Sequence, residues 1–221
     1  MCTPLVLDVI IDLHNTNETM RLYTKDDTQF TDDGILLNGK YFNGYTGVTK
    51  LCYYGEESLF DTIAKRKSPE EAKQILKKSS ERGNRIHSQL ENDYASVIKK
   101  KDRAIIGSEL AHEVFLHGNI FNVDVLGYAD AIFKNENTYT IVDYKTKSSK
   151  FVWSKYGDLT KYWMQLAAYA ILFNKMYGIT DIQLAIYVIF VDTMKYQPYY
   201  LSIKDSKKYA IMLNKKASLM V

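Results

Sequence analysis

The chain has 221 residues, a hydrophobic content of 46%, a charged content of 25% and a formal net charge of +3. These values are typical of a globular protein that buries a sizeable core, and they argue against a disordered chain. Cys2 and Cys52 are the only cysteines, so we expect a reducing compartment and no disulfide framework. The sequence has no run of about 18 apolar residues and no basic start leading into an apolar stretch. We therefore predict a cytoplasmic protein without a signal peptide or a membrane span.

The first fifty residues are predicted to form a small β-rich extension. Residues 5–13 and 20–23 favour strands, and polar turn residues surround both. We place an N-terminal extension at residues 1–50 and the core domain at residues 51–221.

Helices are predicted at residues 57–67 and 69–101. The second begins with a capping serine, a proline in the first turn and two acidic residues, which is typical of a helix start. Its apolar residues recur at mixed three- and four-residue spacings and indicate a face directed at the core. These residues are Ile75, Leu76, Ile86, Leu90, Tyr94 and Val97.

Strands are predicted to follow these helices. Residues 104–110 should form the first strand of a central sheet. Residues 125–132 and 141–147 are hydrophobic runs joined by the polar loop 134–137, which indicates a β-hairpin.

The predicted hairpin brings two acids and an amine together. Side chains alternate along a strand, so Asp143 and Lys145 point to the same side, and the hairpin sets Asp130 beside them. Two neighbouring carboxylates repel unless a cation or a proton lies between them. Hard divalent ions prefer such ligands, and a lysine near a bound metal can orient water or neutralise a phosphate. This combination indicates phosphodiester hydrolysis.

The rest of the chain favours a mixed α/β fold. An amphipathic helix is predicted at residues 162–176, where Gln165 and Tyr169 share a face. A nearly continuous apolar strand at residues 182–191 is typical of the centre of a covered sheet. An edge strand at 196–203 and a closing helix at 206–213 complete the prediction.

Three motifs carry a resemblance to a known family. They are Gly127-Tyr128-Ala129-Asp130, Val142-Asp143-Tyr144-Lys145-Thr146 and Gln165-Leu166-Ala167-Ala168-Tyr169. In order and spacing they resemble the G-x-x-D, D/E-x-K-T and Q-x-x-x-Y motifs of the PD-(D/E)xK nuclease superfamily, and more narrowly its RecB-like exonuclease branch. The resemblance implies an α/β restriction-endonuclease-like core, with a mixed central β-sheet flanked by helices.

The same resemblance implies roles for further residues. The segment 82–91 fits the helical pattern R-G-x-x-x-H-x-x-x-E, in which the histidine, here His87, is a metal ligand. The family also places a glutamate on the first strand, and we choose Glu109 over its competitor Glu113 because it fits the family's G-S-E wording. Asp130 and Asp143 become metal ligands, the Tyr144 carbonyl is a further candidate, and Lys145 positions the nucleophile. Phosphate contacts are expected from Gln165, Tyr169, Arg82 and Arg85.

By this resemblance the protein is expected to be a metal-dependent exonuclease that digests single-stranded DNA ends in replication, recombination or repair, in a bacterial or phage-infected cell. The expected cofactor is Mg²⁺ or Mn²⁺. An iron–sulfur cluster is not expected, because it needs four cysteine ligands. DNA is the expected partner, beside recombination or replication proteins. A structure-specific or sequence-specific endonuclease, a catalytically inactive DNA-binding module and an RNA substrate remain alternatives.

Overall fold

The computed structural model describes residues 20–32, 34–149 and 159–221. The strands are β1 (Thr28–Thr31), β2 (Gly34–Leu37), β3 (Lys40–Phe42), β4 (Thr46–Gly47), β5 (Ser108–Ile120), β6 (Val123–Asn135), β7 (Thr138–Lys147), β8 (Ile182–Phe190) and β9 (Lys195–Ser202). The helices are α1 (Val48–Tyr53), α2 (Leu59–Ala64), α3 (Pro69–Val97), α4 (Lys100–Ile106), α5 (Thr160–Tyr177) and α6 (Lys207–Ala217), and a short 3₁₀ helix spans Lys25–Asp27.

The strands form two sheets. Strands β1, β2 and β3 make a small antiparallel sheet, and the other six make a mixed sheet in the order β4-β6-β7-β8-β9, with β5 also paired to β6. The β5–β6 and β6–β7 pairs are antiparallel hairpins, whereas β7 and β8 are parallel and are connected through α5. The predicted fold class is confirmed: a mixed central sheet flanked by helices, with a small β-rich element before it.

The two faces of the mixed sheet are covered by different helices. Helices α1, α5 and α6 pack on one face, and the second half of α3 packs on the other through Ile86 and Leu90. Along β7, Ile141 belongs to the first core and Val142 and Tyr144 belong to the second. Alternation therefore directs Asp143 to the face that α5 covers.

The small sheet packs on the β5–β6 hairpin. Ile35, Leu37 and Phe42 bury their side chains against Phe115, and the Phe115 amide donates a 2.8 Å hydrogen bond to the Tyr23 carbonyl. The division of the chain at residue 50 stays a prediction.

Several predicted boundaries differ from the structure. Residues 104–106 end helix α4 and are not a strand, because Gly107 has φ = +87° and a Cβ there would lie 2.0 Å from the Lys134 carbonyl oxygen. The predicted helix 69–101 is divided, because Asp93 has non-helical dihedrals and α3 ends at Val97.

Other boundaries changed near the N-terminus. Residues 20–23 form no strand and only lead into an isolated bridge between Thr24 and Val114. The predicted strand 5–13 lies outside the described residues. Within the described ranges, no helix has the length and apolar character needed to cross a membrane.

Candidate functional site

The site begins where β6 and β7 separate. Their ladder ends at the pair Ala131–Val142, so the next amide of β7 has no backbone acceptor on β6. The Asp130 carboxylate takes that role, and its Oδ2 accepts a 2.7 Å hydrogen bond from the Tyr144 amide. This bond fixes one oxygen of Asp130 and leaves Oδ1 directed toward α3.

His87 reaches this point from α3. Its Nε2 lies 3.1 Å from the Tyr144 carbonyl oxygen, which only accepts, so Nε2 carries the proton in this hydrogen bond. The lone pair of the neutral imidazole is then on Nδ1, which lies 3.9 Å from Asp130 Oδ1. The predicted ligand His87 and the predicted ligand carbonyl of Tyr144 are therefore in direct contact.

Glu113 completes a three-residue cluster with His87 and Asp130. One ligand atom from each residue lies within 4.8 Å of the other two. The flanking pairs His112–Ala131 and Val114–Ala129 leave Glu113 opposite Asp130 on the neighbouring strand. Glu113 also has φ = +47°, a left-handed conformation that is uncommon for a residue with a Cβ. Burial and the nearby Asp130 carboxylate raise the pKa of Glu113.

Glu109, our predicted acid on this strand, lies outside that cluster. It pairs with Phe133, and its carboxylate is 3.9 Å from His112 Nδ1. The register of β5 against β6 shifts between Glu109 and Ala111. This irregularity adds one residue to β5, so Glu109 and Glu113 are four residues apart but lie opposite Phe133 and Asp130, which are only three residues apart on β6. The structure thus places Glu113, and not Glu109, beside Asp130.

Asp143 and Lys145 form a buried ion pair next to this cluster. Lys145 Nζ donates a 2.6 Å hydrogen bond to Asp143 Oδ1, and the two side chains are 20% and 2% exposed. Burial raises the pKa of Asp143 to about 6, against the opposing effect of Lys145. Burial lowers the pKa of Lys145, but the Asp143 and Asp130 carboxylates outweigh it and raise that pKa above its usual value.

The donor set fits a hard divalent metal ion. Asp143 Oδ2 is buried, and no residue in the described part of the chain gives it a hydrogen bond. A buried carboxylate oxygen without a donor is costly, and a cation is the partner that such an oxygen lacks. His87, Glu113, Asp130 and Asp143 would supply an imidazole nitrogen and carboxylate oxygens, which Mg²⁺ and Mn²⁺ accept.

The motif with Gln165 and Tyr169 lies on α5 and packs against the motif that begins at Gly127. Gln165 Nε2 lies 3.5 Å from the Tyr169 hydroxyl, and the Tyr169 ring is 4% exposed. A Cβ on Gly127 would approach that ring and its hydroxyl to 3.0 Å. The motif glycine therefore leaves the space that Tyr169 fills. Burial, and the Asp130 and Asp143 carboxylates, raise the pKa of Tyr169 far above its usual value, so the phenol stays neutral.

Two predicted phosphate-binding arginines have different environments. Arg82 is half-buried, and its Nε has no hydrogen-bond partner among the residues that the structure describes. Arg85 is exposed on the same helix. Near them, Gly83 lies against the β7 residue Thr146, since a Cβ on Gly83 would be 3.7 Å from its hydroxyl oxygen. This contact brings α3 alongside the end of β7 that carries Lys145.

The chain was compared with known proteins. A family model described as the PD-(D/E)XK nuclease superfamily matches residues 48–219. A search of the curated proteins gives no significant match. Among solved structures, the protein SSO0001 is 21% identical, with a TM-score of 0.46, and the alignment covers 81% of this chain and 78% of that one. A putative exonuclease from Eubacterium rectale is 13% identical, with a TM-score of 0.49 and coverage of 79% of each chain.

Proposed function

Because the chain belongs to the PD-(D/E)XK nuclease superfamily, we propose that it is a metal-dependent exonuclease that hydrolyses phosphodiester bonds at single-stranded DNA ends. The observation that carries the proposal is the meeting of two groups of side chains. The buried Asp143–Lys145 pair lies beside the cluster of His87, Glu113 and Asp130. Acids, imidazole and amine converge there from α3, β5, β6 and β7.

We assign the metal ion to His87, Asp130, Asp143 and Glu113. A bound Mg²⁺ or Mn²⁺ would stabilise the charge that develops on the phosphate and lower the pKa of a water molecule. Glu113 replaces Glu109 in this assignment because only Glu113 reaches the cluster. The Tyr144 carbonyl stays a further candidate from the family resemblance, although in the metal-free structure it accepts the hydrogen bond from His87 Nε2.

We assign Lys145 the role of positioning the attacking water molecule. Its Nζ is held by Asp143 Oδ1, and its side chain is one-fifth exposed. Because nearby carboxylates raise its pKa, Lys145 keeps its positive charge and acts as a hydrogen-bond donor to the attacking water or to a phosphate oxygen. In the reaction the water oxygen bonds to phosphorus while the bond from phosphorus to the 3′ oxygen breaks.

The substrate phosphates have candidate partners on two helices. Gln165 on α5 offers an amide next to the buried, neutral Tyr169 phenol. Arg82 on α3 offers a guanidinium whose Nε has no protein partner in the described part of the chain, and the exposed Arg85 adds charge. Arginine and amide donors are the usual partners of DNA phosphates.

Exonuclease action on single-stranded DNA is supported by the resemblance of the three motifs to the RecB-like branch. An endonuclease would use the same side chains and differ only in how DNA enters the site. A binding module without catalysis is disfavoured because the acids and the lysine are all present. An association with replication or recombination proteins is part of the proposal and rests on the same resemblance.

The test is a nuclease assay with Mg²⁺, Mn²⁺ or EDTA on wild type, Lys145→Ala and Lys161→Ala. We expect Lys145→Ala to bind DNA but to lose cleavage by about 100-fold or more, because it removes a donor aimed at the developing charge. Lys161 is the matched control, since it is also paired with a carboxylate, Glu56. Equal cleavage by Lys145→Ala and wild type, or cleavage that survives EDTA, would contradict the mechanism.

The same assay separates the two modes of cleavage. An exonuclease digests linear single-stranded DNA and leaves circular single-stranded DNA intact. If the circle is cut at a similar rate, the protein is an endonuclease, while the proposed metal site and the role of Lys145 stand unchanged.

A further inference from the structure

The 3₁₀ helix and strand β1, near the N-terminus, lie against one side of the candidate site. Lys25 Nζ lies 3.6 Å from Glu113 Oε2, which belongs to the metal cluster. Three residues later, the Thr28 hydroxyl is hydrogen-bonded to the Tyr128 hydroxyl at 2.9 Å. The 3₁₀ helix and β1 therefore contact both strands that carry the acids, Glu113 on β5 and Asp130 on β6.

Tyr128 lies on β6 two residues before Asp130, a member of the metal cluster. Tyr128 pairs with Phe115 on β5, whereas Asp130 lies opposite Glu113. Two residues along a strand span about 7 Å, which is the scale of one nucleotide in an extended single strand. The Thr28 hydroxyl donates to the Lys25 carbonyl at 2.7 Å and accepts the hydrogen bond from the Tyr128 hydroxyl, which holds the Tyr128 ring in place.

Phe30 lies on top of this arrangement. It is two residues after Thr28 on β1, so both side chains point to the same side, and the Phe30 and Tyr128 ring centroids are 6.1 Å apart. The β2 partner of Phe30, Ile35, is buried in the small core. Phe30 nevertheless remains 65% exposed. Phe30 therefore lies at the edge of the face by which the small sheet packs on the β5–β6 hairpin. One side of its ring is near Tyr128, and the rest is open to solvent.

We propose that Phe30, supported by Tyr128, is a stacking subsite for the base of an unpaired nucleotide next to the scissile phosphate. The proposal rests on the proposed nuclease function and adds the origin of its preference for single strands. A base in a duplex has both faces covered by its neighbours, so only an unpaired or terminal base presents a face to Phe30. Stacking of one base on an aromatic side chain contributes about 1–3 kcal/mol.

One basic side chain lies between the N-terminal segment and the metal cluster. Lys25 begins the 3₁₀ helix three residues before β1, and its side chain is 54% exposed although it approaches Glu113. A basic side chain at the edge of the metal cluster supplies an attraction to the backbone phosphates that stacking alone lacks.

The test is the binding of a fluorescein-labelled single-stranded oligonucleotide, measured by fluorescence anisotropy in EDTA so that no cleavage occurs. We expect Phe30→Ala to weaken binding by about 5- to 150-fold, which corresponds to the stacking energy of one base. Phe30→Trp should bind at least as tightly as wild type, and the fluorescence of the introduced indole should fall when the oligonucleotide binds. Tyr41→Ala is the matched control, because Tyr41 is 54% exposed but pairs with Leu36 and lies on the opposite face of the same sheet.

A second oligonucleotide, of equal length but made of abasic nucleotides, separates stacking from a structural effect. Phe30→Ala and wild type should bind it equally, since no base remains to stack. An equal loss on both oligonucleotides, or no loss on either, would overturn the proposal. If wild type cleaves DNA normally and Phe30→Ala does too, with unchanged binding, only this inference fails. If wild type neither binds nor cleaves DNA in Mg²⁺ or Mn²⁺, the proposed function itself fails.

Discussion

Two clusters of carboxylates and lysines in this protein differ in their balance of charge. In one cluster, Glu56 accepts hydrogen bonds from Lys161 and from Lys216, the latter at 2.7 Å. Lys216 also donates to the Tyr54 carbonyl at 2.7 Å. Burial raises the pKa of Glu56, but the hydrogen bonds from the two lysines hold it below its usual value. This cluster joins the end of α1 to α5 and α6 and has a cation for every acid.

The candidate site is arranged in the reverse manner. Burial raises the pKa of Asp143 and Glu113, and the Asp130 carboxylate raises both further. Lys145 is the amine held at the centre, and Lys25 reaches Glu113 only from the exposed edge. Acids crowded without enough cations destabilise a fold, so such a cluster is expected where a bound cation is needed. In the structural cluster two lysines outweigh burial, whereas at Asp143 and Glu113 burial and a second carboxylate outweigh the nearby lysines.

The largest effect is expected from removing one carboxylate of the functional cluster. Glu113→Gln should weaken Mg²⁺ or Mn²⁺ binding by about 10- to 100-fold, because a ligand loses its charge while its shape is kept. Isothermal titration of the metal ions measures this directly. Glu109→Gln is the matched control on the same strand and should bind the ions like wild type. If Glu109→Gln shows the larger loss, the assignment from strand register is wrong.

The difference between Glu113 and Glu109 shows what the sequence can predict. The hairpin, the pair Asp143 and Lys145 on one face, and the helical spacing of Gln165 and Tyr169 follow from fixed periodicities. Glu109 was chosen over Glu113 because it fits the family's G-S-E wording, and a spacing of four residues on one strand could not separate the two. The register shift after Glu109 depends on tertiary packing, and the sequence carries no local signal for it.

Long-range packing limited other predictions as well. The end of helix α4, residues 104–106, was predicted as a strand because its apolar residues also suit one, and only the contact of Gly107 with Lys134 shows where the strand begins. The approach of Lys25, Thr28 and Phe30 to the site joins segments about a hundred residues apart. No periodicity predicts such a contact, and a lone aromatic residue gives no signal in the sequence.

A smaller effect is expected on the stability of the metal-free protein. The pKa of Asp143 is about 6 in the folded chain and 3.8 for an ordinary aspartate, so between these values the folded state holds more protons. The free energy of unfolding should therefore fall as the pH rises through this window, by about 1 kcal/mol between pH 5 and pH 7. Urea denaturation in EDTA measures the slope.

Asp143→Asn removes the titrating group and should flatten that slope. The overall stability of the variant will also change, because Lys145 loses its counter-charge, but only the slope bears on the argument. Saturating Mg²⁺ should reverse the trend in wild type, since the metal binds the deprotonated acids. A slope that is the same in wild type and Asp143→Asn would show that Asp143 does not titrate in this range.

The smallest effect is expected in the structural cluster. Glu56→Gln keeps an acceptor for Lys161 and Lys216 but removes the negative charge. The Glu56 side chain is 36% exposed, and exposed ion pairs are screened, so we expect a loss of about 1 kcal/mol or less in the free energy of unfolding. Because the pKa of Glu56 is lowered, this contribution is present at neutral pH and is lost as the pH falls below the usual range of glutamate.

Cleavage by Glu56→Gln should be unchanged, because the variant keeps every acid of the metal cluster. A drop in cleavage without a drop in stability would mean that Glu56 also serves the reaction, and the division into a structural and a functional cluster would then be wrong.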